Sequence, residues 1–126
     1  MIKYVSDDMF CEIFLDSPLS YSELFSNLFN YMSGVSKYEG EIKCGWCEVS
    51  LRHNGYYDAE EYEKNPKDFI FWRYSIEIYK KIGLPKRKGI EQVKKLTENL
   101  RSYCNGVVAA CDFEDLLQQQ RSSPSE

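Results

Sequence analysis

Asp68-Phe69-Ile70-Phe71-Trp72-Arg73-Tyr74-Ser75-Ile76-Glu77-Ile78-Tyr79 is the most strand-like run in the chain. Ile70, Trp72, Tyr74, Ile76 and Ile78 fall on one face at period two, and Phe69, Phe71, Arg73, Ser75, Glu77 and Tyr79 fall on the other. The alternation predicts a strand over 68–79 with a continuous apolar face. Working outward, Asn54-Gly55 is a turn dipeptide. The stretch from Asp58 to Lys67 is a polar, acidic connection with room for a short helical turn. Before it, Glu41 to Arg52 reads as another strand whose alternation slips. Ile42 and Cys44 share one phase and Cys47, Val49 and Leu51 the other. The slip predicts a β-bulge near Gly45-Trp46. Met9 to Leu15 is a first strand, with Cys11, Ile13 and Leu15 on one face and Phe10, Glu12 and Phe14 on the other.

Two helical patterns interrupt the strands. Ser20-Tyr21-Ser22-Glu23 has the spacing of a capping box, and Leu24, Phe25, Leu28, Phe29 and Met32 follow on one helical face. Gly34 is the expected stop. Gly83, Pro85 and the basic run Lys86-Arg87-Lys88 read as a loop. Ile90, Val93, Leu96, Thr97, Leu100 and Cys104 then trace a second helix, stopped by Asn105-Gly106. Val107 to Cys111 is short and continuously apolar, the pattern of a central strand buried on both faces. The order β-α-β-β-α-β predicts an α+β fold: a ferredoxin-like (split βαβ) two-layer sandwich, with a four-stranded sheet and two helices on one face. Residues 1–117 form the single expected domain, and 118–126, with nothing apolar to bury, an expected disordered tail.

A chain of 126 residues with 43% apolar and 29% charged residues suits one globular domain. The net charge of -4 argues against a basic stripe for a phosphate backbone and suits a basic protein partner. Met1 to Asp8 is polar and acidic where a secretory signal would carry its apolar core, and no apolar run reaches the length of a membrane span. The expectation is a cytoplasmic protein without membrane contact. Five cysteines, an odd number, argue against a disulfide framework.

The residues that could carry chemistry are sparse. Cys44-Gly45-Trp46-Cys47 has the spacing of a redox pair or of half a metal site. It lies within a strand pattern, however, where the bland reading is two packed cysteines. His53 is a lone histidine beside a turn, with no nucleophile or orienting carboxylate selected near it. No catalytic, cofactor or metal set is expected, and the chain reads as a binding protein. Asp58, Glu60, Glu61 and Glu63 form one acidic cluster, and Asp112, Glu114 and Asp115 a second. Both are candidate docking edges. Phe69 and Phe71, with Phe10, Phe14 and Trp46, are candidates for an exposed aromatic patch on the sheet face away from the helices. A small metal- or thiol-dependent enzyme and a homodimeric ligand-binding regulator are the alternative readings.

Val107-Val108-Ala109-Ala110-Cys111-Asp112-Phe113-Glu114-Asp115-Leu116, with the aromatic run Phe69 to Ile78, resembles small bacterial proteins encoded beside polymorphic toxins. Among these are immunity proteins of contact-dependent growth inhibition systems. The resemblance implies a cytoplasmic protein that binds and neutralises one cognate toxin domain, expected to be basic and frequently a nuclease, with no direct contact to nucleic acid. It transfers no residue roles, because each immunity protein reads its own toxin.

Overall fold

The computed structural model describes residues 3–36 and 38–113. In chain order they form β1 (Cys11–Asp16), α1 (Tyr21–Met32), β2 (Glu41–Lys43), β3 (Cys47–His53), α2 (Ala59–Lys64), a 3₁₀ turn (Phe69–Phe71), β4 (Tyr74–Lys80), α3 (Lys86–Arg101) and β5 (Gly106–Ala110). The strands build one antiparallel sheet in the order β2-β3-β4-β1-β5. The class is α+β, with five strands and three α-helices among the described residues.

Helix α1 starts where the sequence places it. The Ser20 side chain accepts from the Glu23 amide, and the Glu23 carboxylate accepts from the Ser20 amide, which satisfies two orphan donors reciprocally. Its stop differs from expectation: Ser33, not Gly34, takes the left-handed conformation at φ 56°. Gly34 serves a close approach instead, because a Cβ there would lie 2.3 Å from the Lys43 carbonyl oxygen. Helix α3 begins earlier than predicted, with Lys86-Arg87-Lys88 forming its first turn after Pro85. Proline at this position already has a helix-compatible φ and no amide to leave unpaired.

One face of the sheet makes the core. Ile13 on β1 lies opposite Ile76 on β4 and Ala109 on β5, and Ile76 lies opposite Leu51 on β3. Leu24 and Leu28 of α1 and Ile90, Val93, Leu96 and Leu100 of α3 join the same buried cluster. Helical periodicity on α1 and α3 and strand periodicity on β1, β3 and β4 thus converge on one apolar layer.

Three strand expectations are corrected. The run over 41–52 is two strands, not one bulged strand. Cys44-Gly45-Trp46-Cys47 reverses the chain, with the Cys44 amide donating to the Cys47 carbonyl at 3.0 Å, so the sheet has five strands rather than four. A two-residue hairpin loop places its flanking residues opposite each other on one face, and it inverts the alternation just as a bulge does. The run over 68–79 becomes a strand only at Tyr74. Phe69–Phe71 winds into a 3₁₀ turn closed by the Trp72 amide on the Phe69 carbonyl, 3.1 Å. Ile70 is consequently exposed, and the Trp72 ring packs over Gly106 on the face away from the core. Finally, β5 is an edge strand, not a central one: it pairs with β1 alone among the described strands, and Val108, Ala109 and Ala110 are only half-buried.

Gly106 is where that packing is tightest. A Cβ there would come within 2.5 Å of the Trp72 ring. The ring is tied down by its Nε1–H donating to the Pro66 carbonyl at 2.8 Å and by an edge contact with Phe69. Gly106→Ala is therefore expected to destabilise the protein by about 1–3 kcal/mol, measurable by urea denaturation.

Candidate functional site

The structure sends the two predicted acidic clusters to opposite ends of the sheet. Asp58 caps α2, its carboxylate accepting from the amides of Glu60 at 3.0 Å and Glu61 at 3.2 Å. Its charge is thus engaged locally at a helix N-terminus, where acidic residues are favoured. Glu61 pairs with Lys64 at 3.6 Å, and Glu60 and Glu63 are exposed. This cluster sits at the Asp16 end of β1, tied there by the Tyr62 hydroxyl donating to the Asp16 carboxylate, 3.1 Å. Asp112 lies past β5 at the Cys11 end of β1, 3.6 Å from Lys86 and exposed. Six extended residues separate the two ends, about 17 Å. Glu114 and Asp115 lie outside the described residues, as does the tail over 118–126.

The aromatic patch is not an open surface. Phe69 packs on Phe14 at 5.2 Å between ring centroids, and Phe14 is buried. Phe71 is half-buried in the same 3₁₀ turn. The connection from β3 to β4 therefore covers this end of the second face with its own aromatics. Phe10 packs elsewhere, in a tilted contact with Phe113 at 4.8 Å between ring centroids and close to the position of Gly89 in α3. Trp46 is half-buried in the hairpin turn. The expectation of a shared aromatic face fails because only Phe14 has strand geometry. The others lie before a strand, in a turn or in the 3₁₀ segment, where alternation does not decide the face.

What the second face does display is a row of carboxylates. Strand register aligns Glu41, Ser50, Glu77, Glu12 and Ala110 across β2, β3, β4, β1 and β5. Glu77 and Glu12 are direct cross-strand neighbours. Arg52 pairs with Glu77 at 3.2 Å, and the Tyr79 hydroxyl donates to the same carboxylate at 3.3 Å. Partial burial and then the charge of Glu77 push the Glu12 carboxyl above its ordinary range, while a Ser75 hydrogen bond offsets part of the shift. Sequence alternation already placed Glu12 and Glu77 opposite the core residues. It could not show that register would set them side by side.

This crowding has a pH signature. The folded state holds the Glu12 proton more tightly than the unfolded chain does. The associated cost to stability is absent below the ordinary glutamate range and grows as pH rises through the elevated value. Glu12→Gln is expected to raise the melting temperature at pH 7 by about 1–2 °C and to leave it unchanged below about pH 4. Thermal melts at the two pH values check this.

The remaining candidates fall in different places. His53 is exposed at the end of β3 and stacks on Tyr21 at 4.8 Å, a packing role. Cys44 and Cys47 are buried, with sulfurs 3.4 Å apart across the hairpin turn. Among the described residues no three of His, Cys, Asp and Glu converge as metal ligands, and no helix is long and apolar enough to cross a membrane. No protein-family model matches the chain, and neither a curated protein nor a solved structure does.

Proposed function

We propose that this chain is an immunity-type binding protein, which neutralises a cognate toxin domain by presenting the acidic second face of its sheet to a basic surface. The observation that carries the reading is the Glu12–Glu77 pair. Like charges directly opposed across two strands are unfavourable for the fold by themselves. Lysine or arginine from a partner would convert that cost into attraction and steer the encounter. The net charge of -4 and the resemblance to proteins encoded beside polymorphic toxins support the same reading. The clusters around Glu60 and Asp112 would then flank the glutamate row. On this reading the chain is a cytoplasmic, non-enzymatic protein. It needs no cofactor or metal, and it meets nucleic acid only through the nuclease it blocks.

The finer fold reading accompanies it. We take the sheet as a ferredoxin-like, split-βαβ two-layer sandwich whose second strand is folded back into the β2–β3 hairpin. Two features support this. Strand β4 lies between β1 and β3, with α1 leading from β1 into the β2–β3 hairpin, and β1 lies between β4 and β5, which α3 links.

The test is co-purification with the product of the adjacent gene, together with rescue of growth when that product is expressed. A one-to-one complex is expected. Reversing Glu12 and Glu77 to lysine together should weaken it about 100-fold or more, since close interfacial charge pairs couple by at least about 1.5 kcal/mol each. A neighbouring gene without a toxin domain, or growth that is never rescued, would sink the proposal.

A further inference from the structure

The hairpin turn between β2 and β3 holds two thiols that the binding role leaves unused. Cys44 and Cys47 are flanking partners of a two-residue loop, so both side chains point to the same face, and their sulfurs are 3.4 Å apart. A disulfide needs about 2.05 Å, a closure within reach of small side-chain rotations. The turn itself is held from outside. The Lys81 amide donates to the Trp46 carbonyl at 2.8 Å, and the Tyr4 hydroxyl donates to the Cys44 carbonyl. The two sulfurs are not equivalent. Cys44 forms part of the wall of an open cavity of about 460 Å³, bounded by Val35, Tyr38 and Ile42. Cys47 is fully buried behind it.

We propose that Cys44 and Cys47 are a peroxide-reactive dithiol, with Cys44 the attacking sulfur and Cys47 the resolving one, closing to a disulfide across the turn. The oxidant class follows from access. Cys44 is only 8% exposed and lines the cavity, an access that suits a molecule the size of hydrogen peroxide better than a bulky disulfide such as oxidised glutathione.

The electrostatics agree with the division of labour. A hydrogen bond from the Cys47 thiol, helped by the backbone amides of Trp46 and Cys47, outweighs burial and lowers the Cys44 thiol to about 6. Burial and the neighbouring Cys44 sulfur push Cys47 upward, so it keeps its proton while Cys44 is a thiolate. Burial pushes Cys104, away from the turn, up to about 11.

In the first step the Cys44 thiolate attacks one peroxide oxygen. The S–O bond forms, the O–O bond breaks, and the departing hydroxide takes a proton from solvent to leave as water. Cys44 is then a neutral sulfenic acid, and the part of the upward push on Cys47 that came from the Cys44 charge is gone. Cys47 sulfur attacks Cys44 sulfur. The S–S bond forms, the S–O bond breaks, and the hydroxide leaves as a second water with the Cys47 proton. Two thiols lose two electrons and one hydrogen peroxide becomes two waters. A dithiol reductant reverses the change. The inference is independent of toxin binding and stands or falls separately from it.

The experiment treats the full-length, reduced protein with one equivalent of hydrogen peroxide, alkylates the remaining thiols and maps peptides by mass spectrometry. The expected product is a single Cys44–Cys47 disulfide with Cys11, Cys104 and Cys111 alkylated. Its formation rate should be half-maximal near pH 6, and oxidised glutathione should give none of it. Cys47→Ser is expected to stop at a dimedone-trappable sulfenic acid on Cys44, and Cys44→Ser to abolish the reaction. If either variant misfolds, peptide mapping and the pH profile of the unsubstituted protein still decide. Oxidation that appears first on Cys104 or Cys111, or a pair that stays reduced, would overturn the proposal.

Discussion

Ile76→Ala is expected to lower stability by about 3–5 kcal/mol, seen as a fall in the urea midpoint with an unchanged slope. Ile76 is fully buried at the centre of β4, with Ile13 on one side and Leu51 on the other. It joins the cluster that also takes in the buried residues of α1 and α3. The cavity left by truncation has neighbours on every side and little means of collapsing, because both flanking strands are fixed by ladder hydrogen bonds. Ile70→Ala is the matched control. Ile70 sits in the same alternating run of sequence but is 41% exposed on the 3₁₀ turn. Its truncation should cost no more than about 0.5 kcal/mol. Comparable costs at the two positions would mean that the strand extends through residue 70.

Asn54→Ala is the second large effect, with an expected loss of about 2–4 kcal/mol. Asn54 is 7% exposed, and its side-chain amide donates to the Ile70 carbonyl at 2.9 Å and to the Trp72 carbonyl at 2.7 Å. Its side-chain oxygen accepts from the Tyr56 amide at 3.1 Å. One residue therefore pins both ends of the β3–β4 connection. Alanine removes all three bonds and leaves the buried Trp72 carbonyl and the half-buried Ile70 carbonyl without this donor, and at the buried one the lost partner costs more than the bond's net worth. The damage should be local before it is global. Amide hydrogen exchange over residues 56–73 should accelerate well ahead of exchange in β1 and β4. Loss of protection spread evenly over the sheet would contradict the pinning role. Because Phe69 and Trp72 cover Phe14 and Gly106, the same variant should also expose apolar surface at the Asp16 end of the second face.

Most of the regular structure was legible in the sequence because periodicity and burial agree there. The capping box at Ser20, the α1 face through Leu24 and Leu28, the α3 face from Ile90 to Leu100 and the alternation of β1 all appear as read. The reading failed where one pattern serves two geometries. An inverted alternation at Gly45-Trp46 fits a bulge or a hairpin, and only the pairing of Ile42 with Val49 distinguishes them. Aromatics at 69, 71 and 72 fit a strand or a turn folded over Phe14. Small apolar residues at 107–111 fit a central strand or a thinly covered edge. The candidate surface was less legible than the fold. Charges carry no periodic constraint of their own, so Asp58 and Asp112 were visible as clusters, whereas the pairing of Glu12 with Glu77 depends on register between residues 65 apart in the chain.

By itself the sequence determined the α+β class, the apolar faces of α1 and α3 and the core-facing residues of β1 and of β4 from Tyr74 onward, because local periodicity alone commits those residues. The tertiary structure decided the five-strand count, the turn at Cys44-Gly45-Trp46-Cys47, the covering of Phe14 and the glutamate row. Each of these is a contact between distant segments, and its energy comes from a partner that no local window of sequence contains.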